Sequence, residues 1–369
     1  MSSIKLALSY LSGAQYQEAW VPLARGFVDA AKKLGIDIIF YTHDQSPPGD
    51  INERIEIYRG AVWDVRRHSD AQVFIGWPEH FSDMIRWDHI FGSEAGLDSV
   101  DLVFADSPTV KIWLETMTTK PVIVFPVGYD GGAFSYLERD YESEPFTFLF
   151  TGAPTDRLGA WEVPQAFELA FPGKDDVRLI IFCGGERGSF QALREQYSHD
   201  KRIVVETQRR SKEEMIELYR GAHCFVRPAL SDCVSIGTLE ALATGLPIIA
   251  PRHLWFRDLL PETAAYFVRL SNTTINPAHR GFHPYEGGWR VPDLGHLVEM
   301  MRTAYENREL TRKKGIAASH YVSQNLTWDA NLKRMIPFFR DLIEGGSDYI
   351  GYLRENPLRF CGVPRWKNV

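Results

Sequence analysis

Residues 227–251, RPALSDCVSIGTLEALATGLPIIAP, carry the pattern of a parallel α/β sheet. A strand runs out into a loop near Asp232, a helix follows from about Ser235 to Thr244 and stops at Gly245, and a buried apolar strand begins after Pro247. A strand, a crossover helix and a second apolar strand make a βαβ unit. The start of such a helix offers free backbone N–H groups and the positive end of the helix dipole, which suits a phosphate. Asp232 precedes the helix and Glu240 lies two turns on, so the two acids can touch different parts of one extended ligand.

The same alternation extends to both sides. Strand-like runs at Ile4–Ser9, Ile36–Tyr41, Gln72–Trp77, Leu102–Ala105 and Val122–Val127 precede a charged run, YLERDYESEP at 136–145, that reads as a linker. Between the first two runs, Trp20, Leu23, Phe27, Ala30 and Leu34 recur at spacings of three and four and give a helix one apolar face. A second series follows at Phe146–Thr151, Val177–Cys183, Ile203–Thr207, Cys224–Arg227, Pro247–Ala250 and Tyr266–Leu270, with Met215, Leu218, Tyr219 and Ala222 on one helical face. The expected fold is therefore α/β, two Rossmann-like doubly wound domains facing a cleft, with ligands beyond the carboxyl ends of the strands. The expected boundaries are 1–138, 139–330, and 331–369 as C-terminal helices and tail. Ser271–Pro292 reads as one long loop, a length that is uncommon unless it serves a function. Helical patterns at Asp293–Glu306, Leu310–Gln324 and Trp328–Ile343 close the chain.

Composition bounds the function. A chain of 369 residues favours two domains. Its 44 % apolar and 24 % charged residues are those of a globular protein. With 41 Lys+Arg against 48 Asp+Glu, the net charge of −7 argues against a nucleic-acid partner. Cys183, Cys224, Cys233 and Cys361 lack zinc spacing and form no evident disulfide framework, which points to a reducing compartment. No apolar run reaches the roughly 18 residues of a membrane helix, and the first ten residues lack a signal-peptide core. The expected location is cytoplasmic, with contact to a membrane surface left open.

Several signatures are missing. Gly173-Lys174 is followed by Asp175, so there is no Walker A, and Gly184-Gly185-Glu186-Arg187-Gly188 has the wrong spacing for a dinucleotide fingerprint. No DxD triplet occurs. His279 and His283 are four apart, but Pro277 and Pro284 argue against a helical zinc site. No metal is expected.

An acid, seven residues, then Glu240-Ala241 and Ala243-Thr244-Gly245-Leu246-Pro247-Ile248-Ile249-Ala250 resembles the E-x7-E region of retaining glycosyltransferases of the GT-B fold, particularly family 4. VIVFPVGYDGGAF at 122–134 resembles that family's domain junction. Residues 146–159 resemble its first C-domain strand and phosphate loop, 178–185 its next strand, and 215–228 the helix and strand before the acids. Together these cover most of 120–251 in the family's order. The resemblance implies that Glu240 holds the ribose hydroxyls of a nucleotide sugar, that Asp232 contacts hydroxyls of the donor sugar, and that the backbone of Val234, Ser235, Ile236, Gly237 and Thr238 holds phosphate. It places a glycine-rich loop at Gly13, beside the donor phosphates, and assigns the first domain to the acceptor and the second to the donor. It also implies that the helices after Trp328 return to the first domain.

The chain departs from the family in two places. The first acid is Asp232 where Glu is usual. The phosphate loop, usually G-R-x-x-x-x-K-G, reads Gly152-Ala153-Pro154-Thr155-Asp156-Arg157-Leu158-Gly159, which leaves Arg157 as its cation. A dry site where leaving-group charge develops needs such a cation or a row of dipoles. His80, after the third strand, is a further candidate on the acceptor side.

The resemblance implies transfer of a hexose from a UDP- or GDP-linked sugar to a glycan, lipid-linked or protein hydroxyl, with retained configuration, no metal and no other cofactor. Two other readings remain at this stage. One is a noncatalytic nucleotide-sugar-binding relative, motivated by the lost basic pair at Ala153 and Leu158. The other is an α/β serine hydrolase using Ser235, since Cys233-Val234-Ser235-Ile236-Gly237 is one glycine short of a nucleophile elbow.

Overall fold

The computed structural model describes residues 4–10, 14–42, 45–61, 65, 67–79, 96–152, 156–184, 188–232, 234–275 and 289–356. They form two compact units, Met1–Asp130 with Asn325–Val369, and Gly131–Gln324. Each unit is built on a six-stranded parallel sheet.

In the first unit β1 (Lys5–Tyr10), α1 (Ala14–Lys33), β2 (Asp37–Thr42), β3 (Ile55–Ala61), β4 (Val73–Glu79), β5 (Leu102–Ala105), α2 (Pro108–Leu114) and β6 (Val122–Val124) give the strand order β2-β1-β3-β4-β5-β6. Leu23, Phe27, Ala30 and Ala31 turn one face of α1 into the core, and the helix ends at Gly35, whose φ of +72° favours glycine. Phe27 meets Phe125 edge-on at 6.1 Å and Trp328 at 5.4 Å. Trp328 opens the helical run Trp328–Glu355, which is capped by the Thr327 hydroxyl and kinked at Gly346 (φ +48°). Asn331 Nδ2 donates to Pro126 O at 2.9 Å, so this C-terminal run packs on the first unit.

The sequence reading lacks β3, because charged residues occupy the centre of that strand. Glu56 is fully buried and accepts from the Ser9, Tyr41 and Ser69 hydroxyls. Burial pushes its pKa up, but bonds from His68, Ser69, Ser9 and Tyr41 outweigh this and leave it below the usual carboxylate value. Arg59 pairs with Asp106 at 2.9 and 3.2 Å and stacks over Trp77, whose Nε1 also donates to Asp106.

The second unit runs β7 (Phe146–Thr151), α3 (Glu162–Ala170), β8 (Val177–Phe182), α4 (Gly188–Gln196), β9 (Ile203–Glu206), α5 (Lys212–Arg220), β10 (Cys224–Val226), α6 (Ile236–Ala243), β11 (Ile248–Pro251), α7 (Leu254–Leu259) and β12 (Ala265–Val268). The strand order is β12-β11-β10-β7-β8-β9. Phe146, Phe148 and Phe150 alternate along β7 and pack with Phe167 of α3, with Phe171 just past its end, and with Leu297 and Met301 of α8 (Leu294–Glu306). An antiparallel ribbon, β13 (Leu270–Ile275) and β14 (Trp289–Pro292), flanks residues 276–288. The stretch read as one long loop therefore begins and ends in strands. The unit closes with α9 (Arg308–Asn325).

Residues 131–145 belong to the second unit, and the division between units falls at Asp130/Gly131. Leu137 N donates to Thr244 O at 3.1 Å, Arg139 Nη2 to Tyr219 O at 3.2 Å, and Tyr141 OH to Gly245 O at 3.2 Å. All three acceptors lie at or just past the C-terminal ends of α5 and α6, where helix carbonyls lose their i+4 partners. No helix among the described residues is long and apolar enough to cross a membrane.

Candidate functional site

The chain winds outward from β7 through β8 to β9, then returns to β10 on the other side of β7. Winding reverses there, and in open parallel sheets this is where a crevice opens beyond the carboxyl ends of the strands. Thr151-Gly152 and Arg227 leave the sheet side by side at this point. Gly152 has φ +146°, and a Cβ on it would lie 2.8 Å from Arg227 Nη1, so only glycine fits against that guanidinium.

Arg227 anchors the loop after β10. Its Nη1 donates to Thr151 O at 2.6 Å, its Nε to Asp232 Oδ2 at 3.1 Å and its Nη2 to Asp232 Oδ1 at 3.2 Å. The two side chains are only 4 % and 2 % exposed. A buried charge is tolerable only when paired and hydrogen-bonded, and the planar fork of arginine supplies both. Arg157 approaches from the short turn Asp156–Leu158. Its carbonyl accepts from Leu230 N (2.8 Å) and Ser231 N (3.0 Å), while its Nη1 reaches Ser231 O at 3.3 Å and Asp232 Oδ1 at 3.4 Å. One carboxylate oxygen thus faces two guanidinium groups. Gly159, at φ +79°, lets this turn press against Pro228, since a Cβ there would sit 2.4 Å from Pro228 O.

The other half of the site is the start of α6. Ser235 is its N-cap in extended backbone (φ −89°, ψ 120°) without a side-chain cap bond, and its carbonyl accepts from Thr238 N and Leu239 N, both at 3.1 Å. Val234 and Thr238 are buried, and Ser235, Ile236 and Gly237 are half-buried. Glu240, half-buried one turn on, lies with its Oε2 at 3.3 Å from the phenol of Tyr219, which also contacts Gly237 O at 3.1 Å. Burial, reinforced by the negative charge of Glu240, pushes the Tyr219 pKa well up, so its proton stays in place.

The structure therefore brings Asp232, Arg157, Glu240 and residues 234–238 to one edge of one sheet. Gly13 and His80 lie outside the described residues, as do Ala153, Cys233, His279 and His283. Ser235 has ordinary extended backbone, and residues 227–234 separate it from β10. It thus lacks the sharp strand-to-helix turn that exposes a hydrolase nucleophile. Among the described residues no cluster of three or more His, Cys, Asp or Glu could hold a metal ion. Two participants, Arg227 and Tyr219, have no assigned role in the sequence reading. Arg227 is the charged end of an otherwise apolar strand, which is a usable signal, whereas Tyr219 is indistinguishable from the apolar face of α5.

Residues 145–272, most of the second unit, match the family model of glycosyl transferases group 1. The comparison with curated proteins found no match. Among solved structures, a sucrose-phosphate synthase from Thermosynechococcus elongatus is similar with a TM-score of 0.67 at 14 % identity, covering 93 % of this chain and 100 % of that one. A glycosyltransferase from Rickettsia africae gives 0.65 at 12 % identity, covering 94 % and 100 %. HepE from Anabaena, solved with UDP and glucose, gives 0.63 at 12 % identity, covering 92 % and 100 %. The likeness extends over both units, and the fold is the two-domain α/β arrangement of GT-B glycosyltransferases.

Proposed function

We propose that this chain is a retaining glycosyltransferase that moves a hexose from a UDP- or GDP-linked donor to an acceptor hydroxyl on a glycan, a lipid-linked saccharide or a protein. The observation that carries this reading is the placement of Glu240 and the Arg157–Asp232–Arg227 cluster on either side of one helix start, at the point where the sheet reverses its winding. The match of 145–272 to group 1 glycosyl transferases covers this region, and HepE, which shares the fold, is solved with UDP-glucose.

In this reading the Glu240 carboxylate accepts hydrogen bonds from the ribose hydroxyls, and the N–H groups of 234–238 hold the diphosphate at the positive end of α6. Arg157 faces the same diphosphate. Asp232, with both oxygens bound to guanidinium groups, acts by holding Arg157 in line rather than by presenting a bare carboxylate to the sugar. The bond from the anomeric carbon to the diphosphate breaks while a bond to the acceptor oxygen forms on the same face. The acceptor proton passes to a diphosphate oxygen, so no protein nucleophile is needed. The chain's contribution is positioning and stabilisation of the developing charge. The sequence offers no DxD grip for a metal, and in this reading Arg157 and the N–H groups at the start of α6 supply the positive charge instead.

The noncatalytic reading draws on Leu158, which is buried where the family has a cation. One experiment separates the two. UDP- and GDP-sugars raise the melting temperature of a chain that binds them. A labelled donor then gives a new α- or β-linked product only if transfer occurs. Binding without transfer or donor hydrolysis, over a broad acceptor panel, selects the noncatalytic relative.

A further inference from the structure

We propose that Tyr219 is a positioning residue for Glu240, fixing that carboxylate in the orientation that receives the ribose hydroxyls of a nucleoside diphosphate; the inference rests on the donor-site reading above.

The phenol is an unusually well-fixed donor. Tyr219 is fully buried on α5, whose start is held by the reciprocal bonds of Ser211 and Glu214. Its carbonyl accepts from Arg139 Nη2 at 3.2 Å, and its ring packs edge-on against Phe134 at 6.1 Å. Helix, backbone and ring are thus each tied to a different neighbour.

The hydroxyl has one proton and two acceptors, Gly237 O at 3.1 Å and Glu240 Oε2 at 3.3 Å. Both contacts are long for O–H···O, as expected for a proton shared between two oxygens. Gly237 lies beside the phenol: a Cβ there would be 3.6 Å from Thr151 Oγ1 and from the Tyr219 hydroxyl, ordinary contact distances. A buried phenol needs one partner, and Gly237 O already supplies it. The bond to Glu240 is therefore surplus to burial. Its effect falls on Glu240, a half-buried side chain with three rotatable bonds, part of whose ordering this bond meets before a ligand binds.

The test is calorimetric titration of the full chain with UDP and with 2′,3′-dideoxy-UDP, or with GDP and its dideoxy counterpart if UDP does not bind. The set comprises wild type, Tyr219→Phe, Glu240→Ala and the double variant. Tyr219→Phe should weaken the ribonucleotide about fivefold, the scale of one ordinary hydrogen bond, and change the dideoxynucleotide less than twofold. Glu240→Ala should abolish the preference for ribose, and adding Tyr219→Phe to it should then cost nothing more. Equal losses on both nucleotides, an unchanged ribonucleotide affinity, or a Tyr219→Phe chain that no longer folds would each assign the hydroxyl to packing and overturn the proposal. A wild-type chain that binds neither nucleotide removes the donor site and this inference with it. Wild-type binding with an unmoved ribose preference in Tyr219→Phe removes the inference alone.

Discussion

Arg227 and Asp232 face each other as a two-pronged ion pair, closed at 3.1 and 3.2 Å and almost wholly withdrawn from solvent. The pair joins the last residue before the loop to its acid and so fixes the loop between β10 and α6. Removing one partner strands a buried charge. Arg227→Met or Asp232→Asn alone should therefore cost about 3–5 kcal/mol in urea unfolding, while the double variant should recover most of that loss. A double variant as unstable as the sum of the two would mean that each side chain is held by something else.

Arg157 is placed differently. Its side chain is 17 % exposed and touches Asp232 only at 3.4 Å. Arg157→Gln should cost less than about 1 kcal/mol of stability. Transfer from the donor should fall by about 10²–10³, the scale of losing one group that meets the leaving charge. Paired urea melts and initial-rate assays measure both, and a large stability loss with unchanged transfer would make Arg157 structural.

Gly159 and Gly173 form a controlled comparison. Both have positive φ, +79° and +67°, but a Cβ at Gly159 would lie 2.4 Å from Pro228 O, whereas a Cβ at Gly173 meets nothing within 4 Å. Gly173→Ala should show backbone strain alone, about 1 kcal/mol. Gly159→Ala should lose more than this and should also weaken nucleotide binding, because the turn bearing Arg157 must move off the loop. Equal losses in the two variants would remove the close approach from the account.

His223 gives the second unit a pH dependence. Its Nδ1 accepts from Thr147 N at 2.9 Å and its ring stacks on Phe146, and burial, with Arg139 and Arg308 nearby, holds its pKa down at about 4 against 6.5 unfolded. The folded chain keeps this imidazole neutral while the unfolded chain protonates it. The contribution is therefore fully present above pH 6.5 and is lost as pH falls toward 4, by about 3 kcal/mol over that window. His223→Asn should flatten this part of the curve. A wild-type minus variant difference that is independent of pH between 4 and 6.5 would contradict it.

The parallel sheets were legible because most strands are runs of apolar, β-branched residues, and Phe146–Thr151 is found with the expected bounds. β3 was not legible, since Glu56 and Arg59 are satisfied only by partners far away in sequence, Ser9, Ser69 and Asp106, which no local pattern announces. The ribbon at Leu270–Ile275 and Trp289–Pro292 was hidden by polar residues on an exposed strand. The strand–loop–helix context of Asp232 and Glu240 was legible, and the helix bearing Glu240 is found at Ile236–Ala243, as expected from about Ser235 to Thr244. What holds the two acids was not, because Arg227 meets Asp232 only where the loop after β10 folds back, and Tyr219 meets Glu240 only where α5 lies beside α6.

A crystal of the chain grown with UDP or UDP-glucose tests the donor site most directly. The account predicts the ribose on Glu240, the diphosphate over residues 234–238 and within reach of Arg157, and the Arg227–Asp232 pair intact. A nucleotide bound elsewhere, with Glu240 turned to solvent and Arg157 unmoved, would contradict it.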